Sequence, residues 1–216
     1  MKATPVSPVI LASESPRRKE LLEQMNLAFR VLPSRLAELP VLGELPNAYV
    51  ARMAMEKAMK AAEEHPEAVV IGADTVVALD DRILEKPATP EEARLMLSLL
   101  SGRWHEVWTG ISVICLRRRF EETRAVKSRV RFRDLDEDEI DAYVATGEPM
   151  DKAGAYAIQG GARPFVQEIQ GSFHNVVGMP TLELARILER AGVEIDSRWG
   201  EDRQGEKGCS ETERKR

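Results

Sequence analysis

Three consecutive cations, Arg17, Arg18 and Lys19, follow Ser15-Pro16. Ser before Pro is the pattern of an N-cap and a first helical residue, so all three fall in the first turn of a helix. The unpaired N–H groups there already present positive potential, and each added cation is unfavourable by about 0.3–1 kcal/mol. A helix that starts this way suits an anion, because backbone N–H groups, the dipole and two guanidinium forks together grip a phosphate. The alternative is a solvated start neutralised by acids such as Glu20. Thr89-Pro90-Glu91-Glu92 shows the contrasting, purely structural pattern, a capping box with acids in the first turn.

Asp74 is the second anomaly. It interrupts the apolar run Ala68–Leu79, where a carboxylate is costly unless hydrogen-bonded, paired or metal-bound. A Gly-Ala-Asp break at a strand end is a position where open α/β sheets place ligands; a structural Asp satisfying loop N–H groups is the alternative. Other candidates are bland alone. Lys57 sits on an Ala- and Met-rich helix, Lys86 precedes Pro87, Lys152 opens Lys-Ala-Gly-Ala-Tyr, and Glu38 lies in a Pro-flanked loop. Each of these lysines, taken alone, reads as solvated. Gln159, before Gly160-Gly161, marks a turn or an amide able to read a base edge. Three His without paired spacing argue against a zinc site.

The elements that must position these groups alternate between apolar runs and amphipathic segments. Strands are predicted at Pro8–Ser13, Phe29–Leu32, Ala68–Leu79, Val107–Leu116 and Thr123–Arg133. Helices are predicted from Ser15 through Met25, over Asn47–Glu64, from Thr89 to Leu100, over Glu137–Ala145 and over Thr181–Ala191. Ala155–Ile158 and Phe165–Ile169 are further short segments. The mixed order without repeats predicts an α/β fold, a sheet with helices packed on it. Residues 1–196 read as one domain. Residues 197–216 carry 11 charged residues in 20 and read as a disordered tail.

Composition excludes several classes. At 216 residues, roughly 70% of the unfolded surface can be buried, so a core needs no staples. Two cysteines, Cys115 in an apolar run and Cys209 in the tail, make no disulfide framework. No apolar stretch approaches the roughly 18 residues of a membrane span, and the N-terminus lacks a signal-peptide pattern, so a reduced, cytoplasmic protein is expected. A net charge of −5 argues against a dedicated nucleic-acid binder. The alternating cations Lys127, Arg129, Arg131 and Arg133 are expected to form a solvated sheet face.

Several motifs resemble those of the Maf family of nucleotide pyrophosphatases. They are Leu-Ala-Ser-Glu-Ser-Pro-Arg-Arg-Lys-Glu-Leu-Leu (11–22), Ile-Gly-Ala-Asp-Thr-Val-Val (71–77), Leu-Glu-Lys-Pro (84–87) and Leu-Ser-Gly-Arg-Trp-His-Glu-Val-Trp-Thr (100–109). Asp-Lys-Ala-Gly-Ala-Tyr-Ala-Ile-Gln-Gly (151–160) and Gly-Ser-Phe-His-Asn-Val-Val-Gly-Met-Pro (171–180) complete the set. The resemblance implies a mixed, twisted sheet flanked by helices with a central cleft, similar to inosine triphosphate pyrophosphatases. The implied activity is divalent-metal-dependent (Mg²⁺ or Mn²⁺) hydrolysis of a nucleoside triphosphate to monophosphate and pyrophosphate.

By that resemblance Asp74 is the proton acceptor, Ser13 and Arg18 belong to the phosphate-binding signature, and Glu38, Lys57 and Lys86 line the cleft. Lys57 and Lys86 are expected to be catalytic, Lys152 to contact substrate, and Glu38 with Asp74 to hold the metal. Arg17, Thr75 and Gln159 occupy the specificity positions of the branch that cleaves dTTP and UTP, which lacks the Trp and Glu typical of the 7-methyl-GTP branch. Ala37 leaves one carboxylate fewer beside Glu38 than many members carry. The family also suggests a homodimer. Its association with septum formation supports an alternative, a cell-division regulator acting through protein contacts. No nucleic-acid or membrane partner is expected.

Overall fold

The computed structural model describes residues 7–36, 41 and 43–195. Glu38 and the 197–216 tail lie outside the described residues. Two parallel strands open the chain, β1 (Val9–Leu11) and β2 (Phe29–Val31), separated by helix α1 (Pro16–Gln24). Helix α2 (Pro46–Glu64) leads into the long central strand β3 (Val69–Leu79), and a tight turn returns as β4 (Arg82–Leu84). Then come α3 (Pro90–Leu100), β5 (Trp104–Cys115), β6 (Phe120–Phe132), α4 (Glu137–Ala145), β7 (Val166–Gln170), α5 (Phe173–Val177) and α6 (Thr181–Arg190). The sheet order is β2-β1-β3-β5-β6-β7, with β4 added to the end of β3. It is an α/β fold with a mixed, seven-stranded open sheet, parallel around β1 and antiparallel elsewhere. Among the described residues no helix is long and apolar enough to cross a membrane.

Strand alternation sorts β3 between two cores. Val69, Ile71, Ala73, Val77 and Leu79 face the larger one, with the apolar stripes of α1, α3, α4 and α6. Val70 and Val76 face α2, whose Met53, Ala58 and Ala61 pack against them. Gly72 and Gly110 also lie on the α2 side, and neither tolerates a side chain. A Cβ on Gly72 would stand 2.1 Å from the Ala54 carbonyl oxygen, and one on Gly110 would stand 1.9 Å from that of Val50. These two glycines let the helix backbone rest directly on the sheet. Gly110→Ala is therefore expected to cost more than the about 1–3 kcal/mol of ordinary overpacking, because the obstacle is backbone and cannot rotate away. A lowered urea midpoint checks it; an unchanged midpoint would mean that α2 stands farther off.

Several expectations need correction. The Gly-Ala-Asp segment is no break: Asp74 sits in mid-strand, registered opposite Gly110 of β5. Strand β4 was not anticipated. Asp80 and Asp81 both adopt positive φ, +50° and +62°, in the two-residue turn between Leu79 and Arg82. That is the conformation of a primed hairpin turn, which Asp tolerates. The short helix α5 was not anticipated either; Ser172 caps it by accepting from the Asn175 N–H. The short segment Ala155–Ile158 runs from the end of a 3-10 turn into irregular backbone. At α3 the capping box is incomplete: Thr89 accepts from Glu92 N–H, while the Glu92 carboxylate turns to the Ala88 N–H. Cys115 is a core thiol, as its apolar run suggests.

Candidate active site

The edge of β3 that faces β1 is only partly covered. β1 pairs with Val69–Ile71, and β4 with Val77–Leu79. From Gly72 to Val76 that edge carries no strand, and a cleft of about 690 Å³ opens there. Because side chains alternate, Asp74 projects to the α2 side and Thr75 to the opposite side of the sheet. Both reach the same cleft, which wraps the open edge.

Asp74 is met by Lys57 from α2. Lys57 Nζ donates to Asp74 Oδ1 over 2.6 Å, and both residues are only 6% exposed. The solvated reading of Lys57 taken alone is thus overturned, and the residue lines the cleft as the resemblance implies. It lies on the buried face of α2 that the two glycines seat on the sheet. Burial costs each charge its hydration, and the partner offsets that cost.

Arg18 organises the other wall. Its Nε donates to the Gly178 carbonyl over 3.0 Å, Nη1 to Ser13 Oγ over 3.0 Å, and Nη2 to Thr75 Oγ1 over 3.1 Å. Ser15 stands at the N-cap of α1 but its side chain makes no cap bond. The three cations of the first turn part ways. Lys19 pairs with Glu23 on the exposed side, while Arg17 and Arg18 line the cleft. Among the described residues, six cationic side chains, Arg17, Arg18, Arg35, Lys57, Lys86 and Lys152, line it against three acidic ones, Glu14, Asp74 and Asp151. The site is therefore cationic in a chain of net charge −5, as a small polyanion requires.

Of the residues expected from the sequence, Ser13, Arg17, Arg18, Lys57, Asp74, Thr75, Lys86 and Lys152 all line this one cleft. Gln159 is exposed and outside the cleft wall, next to Ile158, which lines it. Arg35, Asp151 and Tyr156 also line it and were not singled out. Arg35 takes a positive φ of +46° in an irregular loop, and no local pattern in the sequence marks it. The Lys152 ammonium bonds the neighbouring Asp151 and holds its carboxyl below the usual range.

Tyr156 rests on His105 of β5. The phenol and His105 Nε2 stand 2.9 Å apart, and both rings meet Phe132 edge to face. Burial pushes the Tyr156 phenol well above its ordinary range and pulls His105 down to about 3. Unfolded His titrates near 6.5, so between those values the unfolded chain binds one proton more. Stability from this group is fully present above about pH 6.5 and is lost at about 1.4 kcal/mol per pH unit as pH falls toward 3. His105→Gln is expected to remove that part of the acid sensitivity, seen as a shallower fall of the urea midpoint between pH 6.5 and 4.5. An unchanged fall would place the proton uptake elsewhere.

The basic face of β6 is solvated, as expected, and several of its cations also have surface partners. Lys127 donates to Glu106 over 2.9 Å and lies over the Trp108 ring, Arg129 lies over Trp104, and Arg133 pairs with Glu139.

Among the described residues no group of three His, Cys, Asp or Glu side chains could hold a metal. A divalent cation bound through one or two carboxylates plus phosphate oxygens and waters needs fewer. Asp74, with one oxygen on Lys57 and the cleft before it, fits that role; Glu38 lies outside the described residues.

Residues 8–191 match the family of Maf-like proteins. The chain is 49% identical over 187 residues to the dTTP/UTP pyrophosphatase of Myxococcus xanthus, covering 87% of this chain and 94% of that protein. It is 51% identical over 187 residues to the protein of the same name from Methylococcus capsulatus, covering 86% and 91%. With that of Clostridioides difficile the identity is 48% over 182 residues, covering 84% and 94%.

Proposed function

The chain belongs to the family of Maf-like proteins, and from that premise we propose that it is a nucleoside triphosphate pyrophosphatase acting on dTTP and UTP. The activity for which the relatives are named supports the reading. The observation that carries it is the buried Lys57–Asp74 pair at the open edge of β3, inside a cationic cleft.

The triphosphate lies against the start of α1. Ser13 and Arg18 contact its oxygens, with Lys152 on the opposite wall. Asp74 orients a water and takes its proton as the water oxygen bonds to the α-phosphorus. The bond from that phosphorus to the bridging oxygen breaks, and pyrophosphate leaves with the electron pair. Lys57 fixes the Asp74 carboxylate and, with Lys86, stabilises charge on the reacting and leaving phosphates. Asp74 and Glu38 would hold a divalent cation, Mg²⁺ or Mn²⁺, which would supply charge neutralisation when bound. Arg17, Thr75 and Gln159 read the pyrimidine. Gln159 reaches the base from just outside the wall at Ile158. The enzyme works in the cytoplasm, as a homodimer, and its product pattern suits the clearing of non-standard pyrimidine nucleotides.

A panel of nucleoside triphosphates, with products separated chromatographically and with or without added Mg²⁺ or Mn²⁺, tests this. Monophosphate and pyrophosphate from dTTP and UTP are expected. Release of orthophosphate and diphosphate instead would overturn the reading.

A further inference from the structure

The Thr75 hydroxyl has one proton and two lone pairs, and its surroundings decide where the proton points. Arg18 Nη2 donates to Oγ1 over 3.1 Å; a guanidinium only donates, so one lone pair is taken. Behind Thr75 stand Thr109 Oγ1 at 3.0 Å and the Gly178 carbonyl at 3.5 Å. Thr109, fully buried, donates its own proton to the backbone carbonyl of Asn175 over 3.0 Å. Between the two hydroxyls Thr75 is therefore the donor. The Gly178 carbonyl already accepts from Arg18 Nε over 3.0 Å and lies beyond the range of about 2.5–3.0 Å for a good hydroxyl bond, so Thr109 is the acceptor that holds the proton.

Asn175 is held as firmly. Its side-chain nitrogen donates to the Val107 carbonyl and to Ser128 Oγ, each over 3.0 Å, with no part of the residue exposed. Only the nitrogen end can face the Val107 carbonyl, so the side chain cannot flip. These bonds pin α5 to β5 and β6 and so fix the Asn175 carbonyl behind Thr109.

We propose that Thr109 and the Asn175 carbonyl are positioning groups that keep the Thr75 proton turned inward, so that Thr75 offers the cleft a lone pair and no donor. This rests on the reading of Thr75 as a base contact. Uracil and thymine carry an N3–H, which such an acceptor receives. Cytosine has an unprotonated N3, which would meet the Thr75 lone pair with its own. The relay thus turns a hydroxyl that could serve either base into one that selects the protonated N3.

The test measures kcat/KM for UTP, CTP and N3-methyluridine 5′-triphosphate with the parent protein, Thr109→Val, Thr109→Ser and Thr75→Val. The parent is expected to prefer UTP over both other nucleotides by about ten-fold or more, one well-placed hydrogen bond. Thr109→Val removes the inner acceptor at nearly constant volume. The UTP-to-CTP ratio should then fall by about ten-fold, with CTP gaining as UTP loses, and Thr109→Ser should restore it. Equal losses for UTP and CTP in Thr109→Val would make the residue purely structural and overturn the proposal. Should Thr109→Val not fold, Thr75→Val decides. Its preference for UTP over the N3-methyl analogue should disappear, and an undiminished preference overturns the proposal. A parent protein that hydrolyses UTP and CTP equally well overturns the base-contact reading itself, which separates the two failures.

Discussion

Asp74→Asn is expected to reduce turnover by about 10²–10⁴-fold or more, the range for removing a general base, while nucleotide binding survives. The amide keeps the shape of the carboxylate and an oxygen for Lys57 Nζ, which now stands 2.6 Å from Oδ1. It removes a negative charge from beside the triphosphate, so affinity measured without added metal should hold or rise. It cannot take a proton from water. Pyrophosphate release under single-turnover conditions and titration with a fluorescent UTP analogue separate the two quantities. Activity equal to the parent would remove Asp74 from the chemistry.

Lys57→Met carries the second large effect, on stability as well as activity. It leaves the Asp74 carboxylate 6% exposed without the ammonium that offsets its desolvation. Removing one member of such a buried pair costs about 3–5 kcal/mol. Urea unfolding at neutral pH should show a lower midpoint at unchanged slope. Lys57→Met combined with Asp74→Asn should recover most of that loss, because the uncompensated charge is gone, yet remain inactive. The recovery measures the coupling between the two side chains. A single variant as stable as the parent would show that water, not Lys57, satisfies Asp74.

Much of the site is legible in the sequence. Arg17 and Arg18 stood out because they oppose the dipole of their own helix, and Asp74 because it interrupts an apolar strand. Both anomalies lie in the cleft. Lys57 reads as solvated by local pattern, because on a helix wheel it is one cation among alanines and methionines, and only the family resemblance puts it in the cleft. Its burial depends on Gly72 and Gly110, which lie on other strands and admit the helix backbone. Arg35 carried no signal, since a lone Arg in an irregular loop has no periodicity to violate. The hairpin at Asp80-Asp81 was missed because Asp at positive φ is tolerated rather than demanded.

What the sequence determined by itself was local. Hydrophobic period, caps and turn residues set most strands and helices, and charges placed against the grain of those elements marked where a ligand belongs. The tertiary structure alone decided the partners. Asp74 meets Lys57 from 17 residues away, and Arg18 reaches Thr75 across 57 and the Gly178 carbonyl across 160. It also decided that β1 stops short, which leaves the β3 edge open and lets residues of opposite faces share one cleft. The physical reason is that periodicity arises between neighbours along the chain. Strand register and helix seating arise from packing between distant segments, and no local pattern encodes that distance.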